Sequence, residues 1–196
     1  MSLVASYFSN WLRASAAIDA AAIDRAVEVL ADVRRRDASV WTVGNGGGSA
    51  LASHLAIGLT LNTRRAGGEP FRAACLGADA AMLSAATNDF GSDDAFRTIL
   101  ECNGRTGDAL CAMSVSGESS NVNRAILAAK DMGIQVIGLV GAAESTTVQL
   151  ADHTILLGSI EPGIAEDVAS AVIHAMYYTF MYENHENVPS ELADVL

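Results

Sequence analysis

Two clusters of small and hydroxyl-bearing residues have types and spacing that could do chemistry. Gly44, Asn45, Gly46, Gly47, Gly48 and Ser49 follow a short apolar run and precede a helical one. Glycine accepts positive φ and lets a backbone approach a ligand closely, and a helix start offers unpaired N–H groups to an anion. The spacing is neither a Walker loop nor G-x-G-x-x-G, so for this loop alone packing and phosphate binding are equal readings. The second cluster, Ser114-Val115-Ser116-Gly117-Glu118-Ser119-Ser120-Asn121, follows another apolar run and again precedes a helix. One serine is accounted for as a helix N-cap. Four hydroxyls and a glycine exceed what capping requires, and with helix N–H groups they form an uncharged cradle for a phosphate.

Each loop needs a strand to deliver it and a helix to receive it. Residues 40–43 are apolar and lead into the glycines, and residues 50–61 read as helix beyond them. The unit recurs. A strand at 72–76 precedes helices at 78–87 and 94–102, and a strand at 108–113 breaks into the serine loop ahead of a helix at 121–132. Residues 134–140 are nearly continuously apolar and rich in β-branched side chains, the pattern of a strand buried on both faces. A short helix at 145–150, a strand at 153–157 and a closing helix at 164–182 follow. Residues 2–37 contain neither Gly nor Pro and read as one or two amphipathic helices. Strands alternating with helices predict an α/β fold, a three-layer, doubly wound, mostly parallel sheet, as one domain over residues 1–196. Such folds bind ligands beyond the C-terminal ends of the strands. The polar segment 185–196 reads as a loosely held tail.

Composition narrows the function classes. With 12 Lys+Arg against 23 Asp+Glu the net charge is -11, which repels phosphodiester backbones and anionic membranes, so neither nucleic acid nor a membrane is an expected partner. No apolar run reaches the roughly 18 residues of a spanning helix, and the N-terminus lacks the basic and apolar regions of a secretory signal. Three cysteines with no CxxC pair read as reduced thiols, and the expected location is cytoplasmic.

The glycine loop followed by His54, the segment Thr87-Asn88-Asp89-Phe90-Gly91, and the serine loop together resemble the sugar isomerase (SIS) domain, and within it the phosphoheptose isomerases. The resemblance spans the chain from the N-terminal helices to about Glu183. It implies a flavodoxin-like sheet, a homotetramer built on the helices of residues 1–37, and active sites between subunits. It also implies a sugar phosphate held by Ser114, Ser116 and Ser119, with Asn45, Gly46, Gly47 and Ser49 in the same pocket and Asn88 and Asp89 near the sugar. His174 matches the catalytic histidine.

Departures from the family pattern are chemically specific. The glutamate expected four residues after His54, the base in the family, is Gly58, and the serine-loop threonine is Val115. Glu166 falls at a glutamine position, which makes Glu166 or Asp167 the nearest substitute base beside His174 as acid. Some relatives bind zinc through two histidines, a glutamate and a glutamine. Here His54, His174 and Glu166 would supply three donors, so zinc is allowed while no cofactor is required. The expectation is an aldose–ketose isomerase acting on a sugar phosphate. The alternative is a non-catalytic SIS protein that binds a sugar phosphate or a protein partner, because Gly58 removes the base.

Overall fold

The structure, a computed structural model, describes residues 2–183 and 188–189. The expectation of a loose tail at 185–196 therefore falls outside the described residues, apart from Val188 and Pro189.

Five parallel strands form the sheet: β1 (Ser39–Gly44), β2 (Arg72–Cys75), β3 (Ala109–Ser114), β4 (Gln135–Val140) and β5 (His153–Leu156), in the order β2-β1-β3-β4-β5. Every pairing is parallel, so "mostly parallel" becomes wholly parallel. The helices are α1 (Leu3–Ala16), α2 (Ala20–Arg35), α3 (Gly47–Ile57), α4 (Thr63–Arg65), α5 (Ala80–Phe90), α6 (Ala95–Asn103), α7 (Ser120–Asp131), α8 (Thr146–Leu150) and α9 (Pro162–Met181). The N-terminal segment resolves into two helices because Asp19, with an extended backbone, accepts from the Ala21 N–H and starts α2 afresh.

Strand alternation sorts the core into two faces. Ala109, Cys111, Met113, Ile137 and Leu139 pack with α1, α2, α3 and α9, while Leu110, Ala112 and Val136 pack with α5, α6 and α7. The two layers of helices cover both faces, which is why β3 and β4 are buried almost throughout. At the strands' N-terminal end, buried Asp108 accepts from the Ser39 N–H (2.8 Å), the Trp41 Nε1–H (2.8 Å) and the Arg105 N–H (2.9 Å). That carboxylate ties β1 to β3 and leaves their C-terminal ends free to shape a site.

The chain leaves β1 toward β2 on one side and returns through β3 on the other, with Gly44 paired to Met113. The loops after β1 and β3 therefore diverge. That divergence opens the crevice where an open α/β sheet binds its ligand, and it places the glycine loop opposite the serine loop.

Candidate active site

The two loops are clasped by a pair of carboxamides. Asn45 Nδ2 donates to Asn121 Oδ1 at 2.8 Å, and Asn121 Nδ2 returns a bond to Asn45 Oδ1 at 3.0 Å. Asn121 closes the serine cluster in the sequence, but its pairing with Asn45, 76 positions away, carries no local signal. In the serine loop, buried Ser114 accepts from the Gly117 N–H (3.1 Å) and donates to Ser119 Oγ (3.4 Å), and Ser116 Oγ accepts from the Glu118 N–H (3.2 Å). Glu118, the one acid of the loop, is turned away from the cradle. It accepts from the Thr146 N–H and Oγ–H, and those bonds hold its carboxyl below the usual range.

A cavity of about 290 Å³ lies beneath these loops, lined by Asn45, Gly48, Ser114, Ser116, Ser119 and Glu166 on its polar side. Val115, Leu139, Leu157 and Ala169 form part of an aliphatic wall. Two helices open onto it. While α1, α2, α5 and α9 are capped by Ser2, Asp19, Asp79 and Glu161, neither α3 nor α7 has a side-chain cap. Among the described residues the first two N–H groups of each helix, those of Gly47 and Gly48 and of Ser120 and Asn121, have no hydrogen-bond partner, whereas Ser49 and Val122 N–H are paired. Ser119, the N-cap residue of α7, makes no capping bond and keeps its hydroxyl for the cavity.

Helices α3 and α9 run parallel and in step. The Glu166 carboxylate lies on Gly47, the His174 ring meets His54 with centroids 4.8 Å apart, and the Tyr177 ring covers Gly58. Gly47 has no Cβ to exclude Glu166, and Gly58 none to exclude Tyr177. Past Ile57 the chain turns into a π-helical segment, Gly58–Asn62, before α4. Such bulges concentrate at functional sites.

This packing distributes the expected residues between two places. Asn45, Ser114, Ser116, Ser119 and Glu166 line the cavity, with Gly46 and Gly47 on the loop beside it. Ser49, outside the cavity lining, has its hydroxyl against Gly77 instead. Asn88 and Asp89 sit exposed at the end of α5, bonded to each other at 2.8 Å, and do not line the cavity. Glu166 and His174 are eight residues apart on one helix, about 12 Å along its axis at 1.5 Å per residue, and their side chains turn to different partners. Asp167 accepts from the Tyr7 hydroxyl at 2.7 Å, which holds α1 against α9 and pushes the phenol up to about 12.

His174 Nδ1 is 2.6 Å from the Ser170 carbonyl, which accepts its N–H and leaves Nε2 available. Burial first, and the neighbouring His174 second, hold His54 below the ordinary imidazole value of 6.5. A histidine held neutral in the native state binds its proton more readily when unfolded, so stability increases with pH through that window. Acidification below about pH 6.5 is therefore expected to weaken the fold, and His54→Gln to flatten that dependence in urea midpoints measured from pH 5 to 8. An unchanged slope in the variant would assign the acid sensitivity elsewhere.

The expected metal set of His54, Glu166 and His174 is not assembled. Among the described residues no three His, Cys, Asp or Glu side chains gather as a metal site, because Glu166 turns to Gly47 while Gly58 contributes no donor beside the imidazoles. The residues do not fit a zinc centre as arranged.

A family model described as the SIS domain matches residues 5–141. The chain belongs to the SIS domain family. As a SIS protein it is 36% identical over 160 residues to a phosphoheptose isomerase of Rhodospirillum rubrum, covering 80% of this chain and 83% of the relative. A phosphoheptose isomerase of Escherichia coli is 39% identical over 151 residues, 77% of each chain. Among solved structures, a phosphoheptose isomerase from Neisseria gonorrhoeae superposes with a TM-score of 0.81 at 29% identity, over 90% of this chain and 96% of that one. The overall fold is thus shared with the Neisseria gonorrhoeae phosphoheptose isomerase.

Proposed function

We propose that this SIS protein is an aldose–ketose isomerase acting on sedoheptulose 7-phosphate or a related ketose phosphate. The observation that carries the reading is the spacing along α3 and α9. An uncharged cradle of serines and open helix N-termini lies at one end, and an imidazole pair lies about two helical turns away at the other. A phosphate anchored at the cradle leaves the far carbons of a long sugar chain level with His54 and His174.

Isomerisation removes a proton from the carbon next to the carbonyl and protonates the carbonyl oxygen to give an enediol; the proton then goes to the former carbonyl carbon while the hydroxyl on the first carbon gives up its proton and becomes the new carbonyl. His54, kept neutral by burial and by His174, is the base. His174, oriented through Nδ1 by Ser170, delivers a proton from Nε2. No step is assigned to a metal. Assembly as a homotetramer is supported by an unpartnered stripe on α1, where Val4, Phe8 and Leu12 are exposed four residues apart while Tyr7, Trp11 and Ala14 pack inward. No helix among the described residues is long and apolar enough to cross a membrane, in keeping with work in the cytoplasm on small phosphorylated sugars.

The test is solvent exchange followed by NMR on sedoheptulose 7-phosphate in D₂O, with chelator and with added zinc. Deuterium entering beside the carbonyl is the expected result, at similar rates in both conditions. Binding without exchange for this sugar and for other ketose phosphates would leave a phosphate-binding protein without chemistry.

A further inference from the structure

We propose that Glu166 makes the cavity select sugar phosphates that carry an amino group a few atoms from the phosphate, in preference to their neutral hydroxyl counterparts. The inference rests on reading the serine cradle as the phosphate site. It concerns what stands beside that phosphate.

The polar lining of the cavity consists of Asn45, the three serines, backbone and Glu166, and no Lys, Arg or His lines it. Among the described residues Glu166 has neither an ion-pair nor a hydrogen-bond partner. Its carboxylate lies on Gly47 and lines the same cavity as the three serines. A phosphate dianion placed in about 290 Å³ with an unpaired carboxylate meets like charge at short range, against an aliphatic wall that screens poorly. The net charge of -11 adds to the repulsion. Asn45 brings no charge to relieve it, and one N–H and the carbonyl of its amide are committed to Asn121.

A sugar hydroxyl at that position can donate to Glu166 but leaves the charge imbalance in place. An ammonium group supplies three donors and an opposite charge, and charge-assisted bonds to a carboxylate are the stronger kind. The amino group must sit toward the phosphate-bearing end, since the carbons that isomerise lie two turns further along α3 and α9.

The experiment measures dissociation constants by competition with inorganic phosphate, followed by ³¹P line broadening, on the full chain. Two matched pairs serve as probes: 2-aminoethyl phosphate with 2-hydroxyethyl phosphate, and 3-aminopropyl phosphate with 3-hydroxypropyl phosphate. At least one amino compound is expected to bind about tenfold more tightly than its hydroxyl partner, a preference that Glu166→Gln reduces to within about twofold. Equal affinities within both pairs, with phosphate still bound and weakened by Ser114→Ala, overturn the selectivity and leave the phosphate site standing. A preference that persists in Glu166→Gln overturns it too. No binding of phosphate to the wild-type protein removes the phosphate reading and this inference together.

Discussion

Gly58→Ala is expected to lower the unfolding free energy by about 1–3 kcal/mol, the reverse of the usual effect of this substitution in a helix. Gly58 has helical dihedrals, φ -57 and ψ -50, and at such a position alanine ordinarily stabilises by about 0.5–1 kcal/mol. Here a Cβ would enter the ring of Tyr177, whose side chain is 3% exposed and wedged against His54 and His174. The clashing atoms belong to the root of the ring, so no rotation of a flexible tip relieves them, and α3 or α9 must shift. Tyr177→Ala alone should cost about 3–5 kcal/mol as a buried large-to-small change. Combined, the two substitutions should cost less than the sum of their separate effects by about 2 kcal/mol, since the alanine methyl then occupies vacated space. Urea midpoints and slopes for the four proteins of the cycle provide the measurement. A Gly58→Ala protein as stable as wild type would show that α3 and α9 are not locked through this contact. The same geometry bears on catalysis. A glutamate at 58 needs the same Cβ, so Gly58→Glu alone should lose stability without gaining turnover.

This coupling illustrates which parts of the site a linear reading reaches. The strand–loop–helix units at Gly44 and Ser114 were legible because each compresses its signal into a few consecutive residues: an apolar run, a break in small or hydroxyl residues, then helical spacing. Their parallel arrangement follows from alternation, and their convergence follows from the general behaviour of doubly wound sheets. The layering of helices and the position of the cradle came with them. What escaped depends on pairs far apart in sequence. Asn45 with Asn121, Gly47 with Glu166, His54 with His174 and Gly58 with Tyr177 each join residues 76 to 120 positions apart. The last three all arise from one fact, the parallel in-step packing of α3 and α9, which no local pattern announces. Sequence reasoning could read Gly58 as a missing base but not as room made for a ring. It grouped Glu166 with His174 because Glu166 falls at the family's glutamine position, although each faces a different residue of α3. The π-helical segment at Gly58–Asn62 has no compositional signature either, since Gly-Leu-Thr-Leu-Asn reads as a continuing helix. Helix α3 also begins at Gly47, earlier than residue 50, where glycine propensity had placed its start.

His174→Gln should reduce kcat by about 10²–10⁴-fold while changing KM by no more than a few-fold, because the imidazole acts on the reacting carbons and not on the phosphate. The Ser170 carbonyl fixes the ring by accepting the Nδ1 proton at 2.6 Å, and Nε2 is the atom that exchanges protons with substrate. Glutamine keeps a donor near that place without a titrating nitrogen, so folding and ligand affinity should survive while turnover does not. The partner is identified by pH. With His54 as base, kcat/KM falls on the acid side as His54 gains its proton, with a midpoint below 6.5 because burial and the charge on His174 both disfavour its cation. His54→Gln should then lower kcat/KM by a similar factor and remove that acid limb from what activity remains. Glu166 gives a contrasting signature. Were its carboxylate the base, the acid limb would persist in His54→Gln and disappear in Glu166→Gln. Profiles of wild type, His54→Gln and Glu166→Gln from pH 4 to 9 separate the two assignments, because only the residue that accepts the proton can move the limb. We propose the imidazole as base because His54 and His174 face each other with ring centroids 4.8 Å apart, whereas the Glu166 carboxylate lies on Gly47 and lines the cavity beside the serine loop.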